Sequence, residues 1–262
     1  MLLKRWPILG RKQRTYCVSG KVVGSLRYTG SYEYVFDLFS PQIFGLNPKD
    51  SLVGFVDYQY DLEKDRPVLN GPFNFSVNSY KYSFILKGNY AENRKTGLWE
   101  CICKWNNHES VEVKMSYDDC ERLTGPFILL RNHLKINATY QNGDLNGFCS
   151  VCDRLSKIKE KSCFEQGVLK GKYEYEDEEF SFTGMFNVQG QPEGYWKGVD
   201  KYKSYRFETL YKNGKIESSH YIRGRRIGEY IPEDKIASWW YKRQTLDLLP
   251  FYKDVFIKEL VK

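Results

Sequence analysis

Tyr140-Gln-Asn-Gly-Asp-Leu-Asn-Gly-Phe148, YQNGDLNGF in one-letter code, reads as a tight reversal followed by the start of a new strand. Asn-Gly suits the two central positions of a two-residue hairpin, where both residues need positive φ. Relatives of the stretch recur: Phe164-Glu-Gln-Gly-Val-Leu-Lys-Gly-Lys-Tyr173, Phe186-Asn-Val-Gln-Gly-Gln-Pro-Glu-Gly-Tyr-Trp196 and Tyr221-Ile-Arg-Gly-Arg-Arg-Ile-Gly-Glu-Tyr230. The shared pattern is an aromatic, two or three residues, Gly, three residues, Gly, and an aromatic one or two places on.

Weaker copies lie upstream, at Tyr16 to Gly24 and around Gly54, Gly71, Gly97 and Gly125. From Gly71 through Gly97, Gly125, Gly147 and Gly171 to Gly194 the second glycines follow one another at 22 to 28 residues, a period typical of stacked supersecondary units. Each unit is expected to be a β-hairpin. The first Gly supplies the turn, and the second is expected to allow close backbone approach where the next strand begins. Two places past the second Gly fall Phe73, Trp99, Phe127, Cys149, Tyr173, Trp196 and Tyr230, and four places past it Phe75, Cys101, Leu129, Val151, Tyr175 and Gly198. Strand side chains alternate between faces, so these residues are expected to line one core side.

The pattern resembles the MORN repeat, specifically the MORN-variant repeats of bacterial antitoxin-like proteins. The resemblance rests on residues 140–230 and extends to Gly71; it departs in irregular spacing and in Cys149 at an aromatic position. It implies an all-β repeat fold, an elongated antiparallel β-meander of hairpins used for binding or scaffolding. Three segments are expected: degenerate N-terminal hairpins over 1–70, MORN-like hairpins over 71–231 and a C-terminal helical cap over 232–262. Within the last, Pro232, Glu233 and Asp234 read as a helix start, and Ile236, Trp239, Trp240 and Leu246, then Phe251, Val255, Phe256 and Leu260, as apolar faces.

Composition agrees with a β fold. Tyr, Phe and Trp number 21, 16 and 6 in 262 residues, a bias toward residues that suit pleated, half-buried surfaces. The net charge of +7 is modest for this length, which points to acidic partners without the charge density of a dedicated nucleic-acid binder. The N-terminal stretch MLLKRWPILGRKQR has no signal-like apolar run, no segment has the length of a membrane span, and the seven cysteines are odd in number. A cytoplasmic protein with reduced thiols and no membrane span is therefore expected.

Catalytic and metal-binding readings have little support. Cys101, Cys103, Cys149, Cys152, Cys120 and Cys163 could be assembled into a thiolate site, but register places Cys101, Cys103 and Cys149 on the core face and Cys152 opposite. His108, His133 and His220 are scattered. Glu112-Val-Lys114 has the acidic-x-Lys spacing of metal-dependent nucleases without an upstream Asp in a strand–helix setting. No nucleophile elbow, phosphate loop or dinucleotide fingerprint is present. No catalytic residue, metal or cofactor is expected; a metal-dependent nuclease or other hydrolase is the alternative from another class, and a self-associating scaffold, possible as a homo-oligomer, is a third.

Charge distribution supplies the candidate site. Glu174, Glu176, Asp177, Glu178 and Glu179 cluster around one hairpin, and the last repeats are basic. Lys201, Lys203, Arg206, Arg223, Arg225 and Arg226 are the expected partner-binding residues, taking another protein, acidic in character, ahead of single-stranded nucleic acid stacked on Tyr202, Tyr205 and Tyr211. The specific function implied by the resemblance is neutralisation of a toxin or effector.

Overall fold

Asn142-Gly143 and Asn213-Gly214 both adopt positive φ at both positions in the computed structural model, 55° and 94° in the first pair and 50° and 77° in the second. These are the paired left-handed residues that let a two-residue turn follow the twist of its strands. The structure describes Cys17–Val18, Lys21–Val22, Leu26–Val35, Phe44, Ser51–Glu63, 66–202, 204–223 and Arg226–Glu229. Apart from Phe44, they are strands and the turns between them, so the chain is an all-β repeat protein built of antiparallel hairpins. The helical cap expected over 232–262 lies outside the described residues.

The chain divides into two compact units, Met1–Gly125 and Pro126–Lys262. In the first, β1 (Cys17–Val18) pairs with β2 (Lys21–Val22). Then β3 (Leu26–Val35), β4 (Ser51–Glu63), β5 (Arg66–Asn78), β6 (Tyr82–Ala91), β7 (Arg94–Trp105) and β8 (Ser110–Tyr117) each pair antiparallel with the next. Strand β9 (Leu123–Arg131) spans the unit boundary.

In the second unit, β10 (Leu134–Gln141) pairs with the short β11 (Asp144–Leu145) and with β12 (Gly147–Asp153); β13 (Ile158–Glu165) pairs likewise with β14 (Val168–Leu169) and β15 (Gly171–Glu176). The meander continues through β16 (Phe180–Phe186), β17 (Pro192–Asp200), β18 (Tyr205–Lys212), β19 (Lys215–Arg223) and β20 (Arg226–Glu229).

The core face follows the sequence register. Phe73, Phe75, Trp99, Cys101, Phe127, Leu129, Cys149, Val151, Tyr173 and Trp196 are all buried. Tyr175 and Gly198 are half-buried, and Tyr230 lies outside the described residues.

The second glycines divide in purpose: a Cβ on Gly54 would fall less than 3.0 Å from the Ser76 carbonyl oxygen and one on Gly71 less than 3.0 Å from the Gln59 side chain, the close approach expected, whereas four others differ. Gly97, Gly125, Gly171 and Gly194 have φ of 64° to 75°, and a Cβ on any of them would meet nothing within 4 Å. Their requirement is conformational, not close approach. Gly97 and Gly194 open bulges in which three residues of one strand oppose a single residue of its neighbour, since Lys87↔Glu100 is followed by Asn89↔Thr96, and Thr183↔Lys197 by Met185↔Glu193.

Each bulge swings a tryptophan over a glycine of the preceding strand. A Cβ on Gly88 would fall less than 3.0 Å from three indole atoms of Trp99, and one on Gly184 would do the same at Trp196. Tyr90 meets Trp99 edge-on at 5.1 Å and 84°, and Phe186 meets Trp196 at 5.1 Å and 87°. The two units thus carry one packing motif, Gly-x-aromatic before the turn and Gly-x-Trp after it. Both tryptophans are fully buried, which removes on the order of 200 Å² each and contributes at most about 5 kcal/mol at ~25 cal/mol per Å².

Candidate partner-binding surface

In the second unit, Asp153 pairs with Ile158, Glu176 with Ser181, Asp200 with Tyr205 and Arg223 with Arg226, so residues 154–157 and 177–180, with Lys201, Tyr202 and Ser204, lie at the same edge of the sheet as the Arg223↔Arg226 pair. The acidic hairpin and the basic repeats singled out in the sequence therefore border a common edge.

The acidic hairpin is neutralised internally. Lys172 and Lys161 reach Glu174 at 2.6 and 3.0 Å, Lys201 and Lys159 reach Glu176 at 3.1 and 3.5 Å, and Lys157 reaches Glu178 at 2.6 Å. Bonding from Lys172 and Lys161 holds the Glu174 carboxyl below its ordinary range, and bonding from Lys201 does the same for Glu176. Lys201 also donates to the Asp177 carbonyl at 2.7 Å. Of the residues expected to bind a partner, Lys201 is thus committed to its own hairpin edge.

Arg206 and Arg223 are exposed and make no ion pair among the described residues. In the ladder, Arg206 stands between Val199 of β17 and Ile222 of β19. Arg223 and Arg226 are register partners across β19 and β20. Lys203 and Arg225 lie outside the described residues. Strand alternation puts Arg206 on the outer face, in phase with Ile222, and Arg223 on the other. The register brings Arg206 and Arg223 to one edge but divides them between two faces.

A cleft of about 570 Å³ opens on the outer face above this edge. Its floor is a cross-strand ladder that the sequence reading missed: Lys161, Glu174, Thr183, Lys197 and Glu208 are consecutive register partners, and His220 continues the row beyond the cleft. Lys197 and Glu208 lie 3.1 Å apart, and His220 is 3.9 Å from Glu208. Arg206, in the next row, lines the same cleft and is its cation without a carboxylate partner among the described residues. The signal was available as alternating charge in Lys159-x-Lys161, Glu174-x-Glu176 and Arg206-x-Glu208, but pairing it required the register.

The chemistry weighed elsewhere resolves into packing and surface pairs. Cys101, Cys103 and Cys149 are buried on the core face, Cys152 is half-exposed on the other, and burial pushes the Cys103 thiol up to about 11 and the Cys101 thiol well above its usual value. Among the described residues no group of three His, Cys, Asp or Glu side chains could hold a metal ion. Lys114 is shared between Glu112 at 3.0 Å and Glu100 at 3.1 Å on the outer face of β7 and β8, a surface ion triplet. His133 Nδ1 lies 2.6 Å from the buried Asp153, which also accepts from Ser156 and the Leu155 amide and so fixes the turn after β12. No helix among the described residues is long and apolar enough to cross a membrane.

No protein-family model matches the chain, and a search of curated protein sequences returns no match either.

Proposed function

We propose that this is a non-catalytic β-repeat protein that binds an acidic macromolecule, a protein ahead of a nucleic acid, at the basic edge of its second unit. The observation that carries this reading is an asymmetry of charge satisfaction. The acidic hairpin has lysine partners within the sheet, whereas Arg206 and Arg223 have none among the described residues and Arg223 faces Arg226 in the ladder. Unpaired guanidinium groups at a sheet edge are suited to bidentate pairing with carboxylates supplied from outside. The likeness to MORN-variant antitoxin-like proteins makes the partner, in this proposal, a toxin or effector neutralised by occlusion, in a cytoplasmic setting where the described cysteines stay reduced.

Affinity capture from the native host, run in parallel with the wild-type chain and the Arg206→Glu/Arg223→Glu variant, tests it. An acidic protein recovered by the first and lost by the second, and binding again when purified, is the expected result. Equal recovery by both chains removes this edge from the interface. Release of the captured material by nuclease would transfer the reading to nucleic acid.

A further inference from the structure

The charges that line the cleft above the basic edge do not cancel. Lys161 reaches Glu174 at 3.0 Å, Lys159 reaches Glu176 at 3.5 Å and Lys197 reaches Glu208 at 3.1 Å. Lys172 and Lys201 share the first two carboxylates from outside the cleft. Every carboxylate of the lining is therefore matched, while the guanidinium of Arg206 has none among the described residues. One further carboxylate completes the set.

Arg206 is set in an apolar row. Its register partners are Val199 of β17 and Ile222 of β19, both half-buried in the cleft lining, and Ile222 is opposite Ile227 of β20, which is 74% exposed. Side chains of directly opposed residues stand about 5 Å apart, so aliphatic groups border the guanidinium on both sides. A carboxylate pairing with Arg206 there can be bidentate, and whatever flanks that carboxylate meets Val199 and Ile222.

An extended chain repeats its side chains on one face every two residues, about 6.7 Å, against ~4.8 Å between neighbouring strands. A partner segment laid along the row with an acidic residue on Arg206 thus brings its next same-facing side chains between Val199 and Ser181 on one hand and between Ile222 and Ile227 on the other. Acidic side chains at those flanking places would lose water over aliphatic groups without gaining a partner, whereas apolar ones would be covered. We propose that the cleft recognises one isolated carboxylate of a protein partner, in an extended segment of the form apolar-x-acidic-x-apolar. This rests on the proposed function in taking the partner to be a protein, and it narrows the recognised feature from an acidic surface to a single acidic side chain.

Fluorescence anisotropy of the rhodamine-labelled peptide Gly-Leu-Ser-Glu-Ser-Leu-Gly, titrated with the full-length protein, tests it. One companion peptide carries Gln for the central Glu, and another carries Glu for both leucines. The first peptide is expected to bind, and each companion to bind about tenfold more weakly or worse. Arg206→Gln should weaken the first peptide by a similar factor, whereas Lys104→Gln, at an exposed cation of the other unit, should leave it unchanged. No binding of the first peptide, equal binding of its Gln companion, or equal binding by wild type and Arg206→Gln overturns the proposal; the Gln comparison needs no protein variant. Tighter binding of the triacidic peptide also overturns it but leaves the basic-edge reading standing, and that reading is decided separately by capture of the whole partner.

Discussion

Gly184 lies directly beneath the indole of Trp196, so close that no Cβ fits between them, and Gly88 bears the same relation to Trp99 in the other unit. Replacing Gly184 by Ala should lower stability by about 1–3 kcal/mol, the usual cost of overpacking a filled core, with Gly88→Ala costing a similar amount. Urea unfolding measures it. A loss below about 0.5 kcal/mol at either site, the range of ordinary surface substitutions, would show that the indole moves aside freely.

Gly97 should behave differently, because space around its Cβ position is open and only its φ of 64° opposes a side chain. Gly97→Ala is expected to cost about 1–2 kcal/mol from the left-handed backbone alone. Gly97→Asn should recover part of that loss, since Asn tolerates this conformation. Equal stability of the Ala and Asn variants would argue for a contact role instead.

Acid should destabilise the second unit. In Asp153, burial raises the carboxyl pKa but hydrogen bonds from Ser156, His133 and the Leu155 amide outweigh it, and lysine bonding lowers Glu174 and Glu176. Folded pKa values below the ordinary 3.8 of Asp and 4.5 of Glu mean that the folded state binds protons less readily than the unfolded chain. The stabilisation is therefore complete above about pH 5 and is lost as pH falls through the folded values. Urea midpoints between pH 7 and pH 2.5 should decline in that window, and less steeply in Asp153→Asn.

Thiol reactivity should sort by burial. Cys120 is exposed and should react with an aromatic disulfide reagent in the native protein, whereas Cys101 and Cys103, buried and held protonated, should react only on unfolding. Mass spectrometry of labelled peptides distinguishes them. Native labelling at Cys101 as fast as at Cys120 would contradict the core register.

The hairpin array was legible because its signals are local. Asn142-Gly143 declares its turn by the φ each residue tolerates, and alternation from Gly171 through Tyr173 to Tyr175 declares a face without knowledge of any neighbour. The role of Gly88 and Gly184 was not legible, because each is required by a tryptophan 11 or 12 residues on, brought over it by a bulge. The candidate site was half legible for the same reason. Arg206, Arg223 and Arg226 stand out as a basic group from charge alone, but Lys201 is bound by Glu176, 25 residues earlier, and the division of Arg206 and Arg223 between faces depends on their register.

The most direct measurement is the association rate of the captured acidic partner with immobilised wild-type protein and with Arg206→Glu/Arg223→Glu/Arg226→Glu, followed by interferometry at low and at physiological salt. Arg206 and Arg223 are exposed and contribute little burial, and a variant that melts as the wild type does is the one to compare; its association should slow by about tenfold or more at low salt and lose most of its salt dependence. An unchanged rate and an unchanged salt dependence in a folded variant would contradict the account and return these charges to the solvated surface.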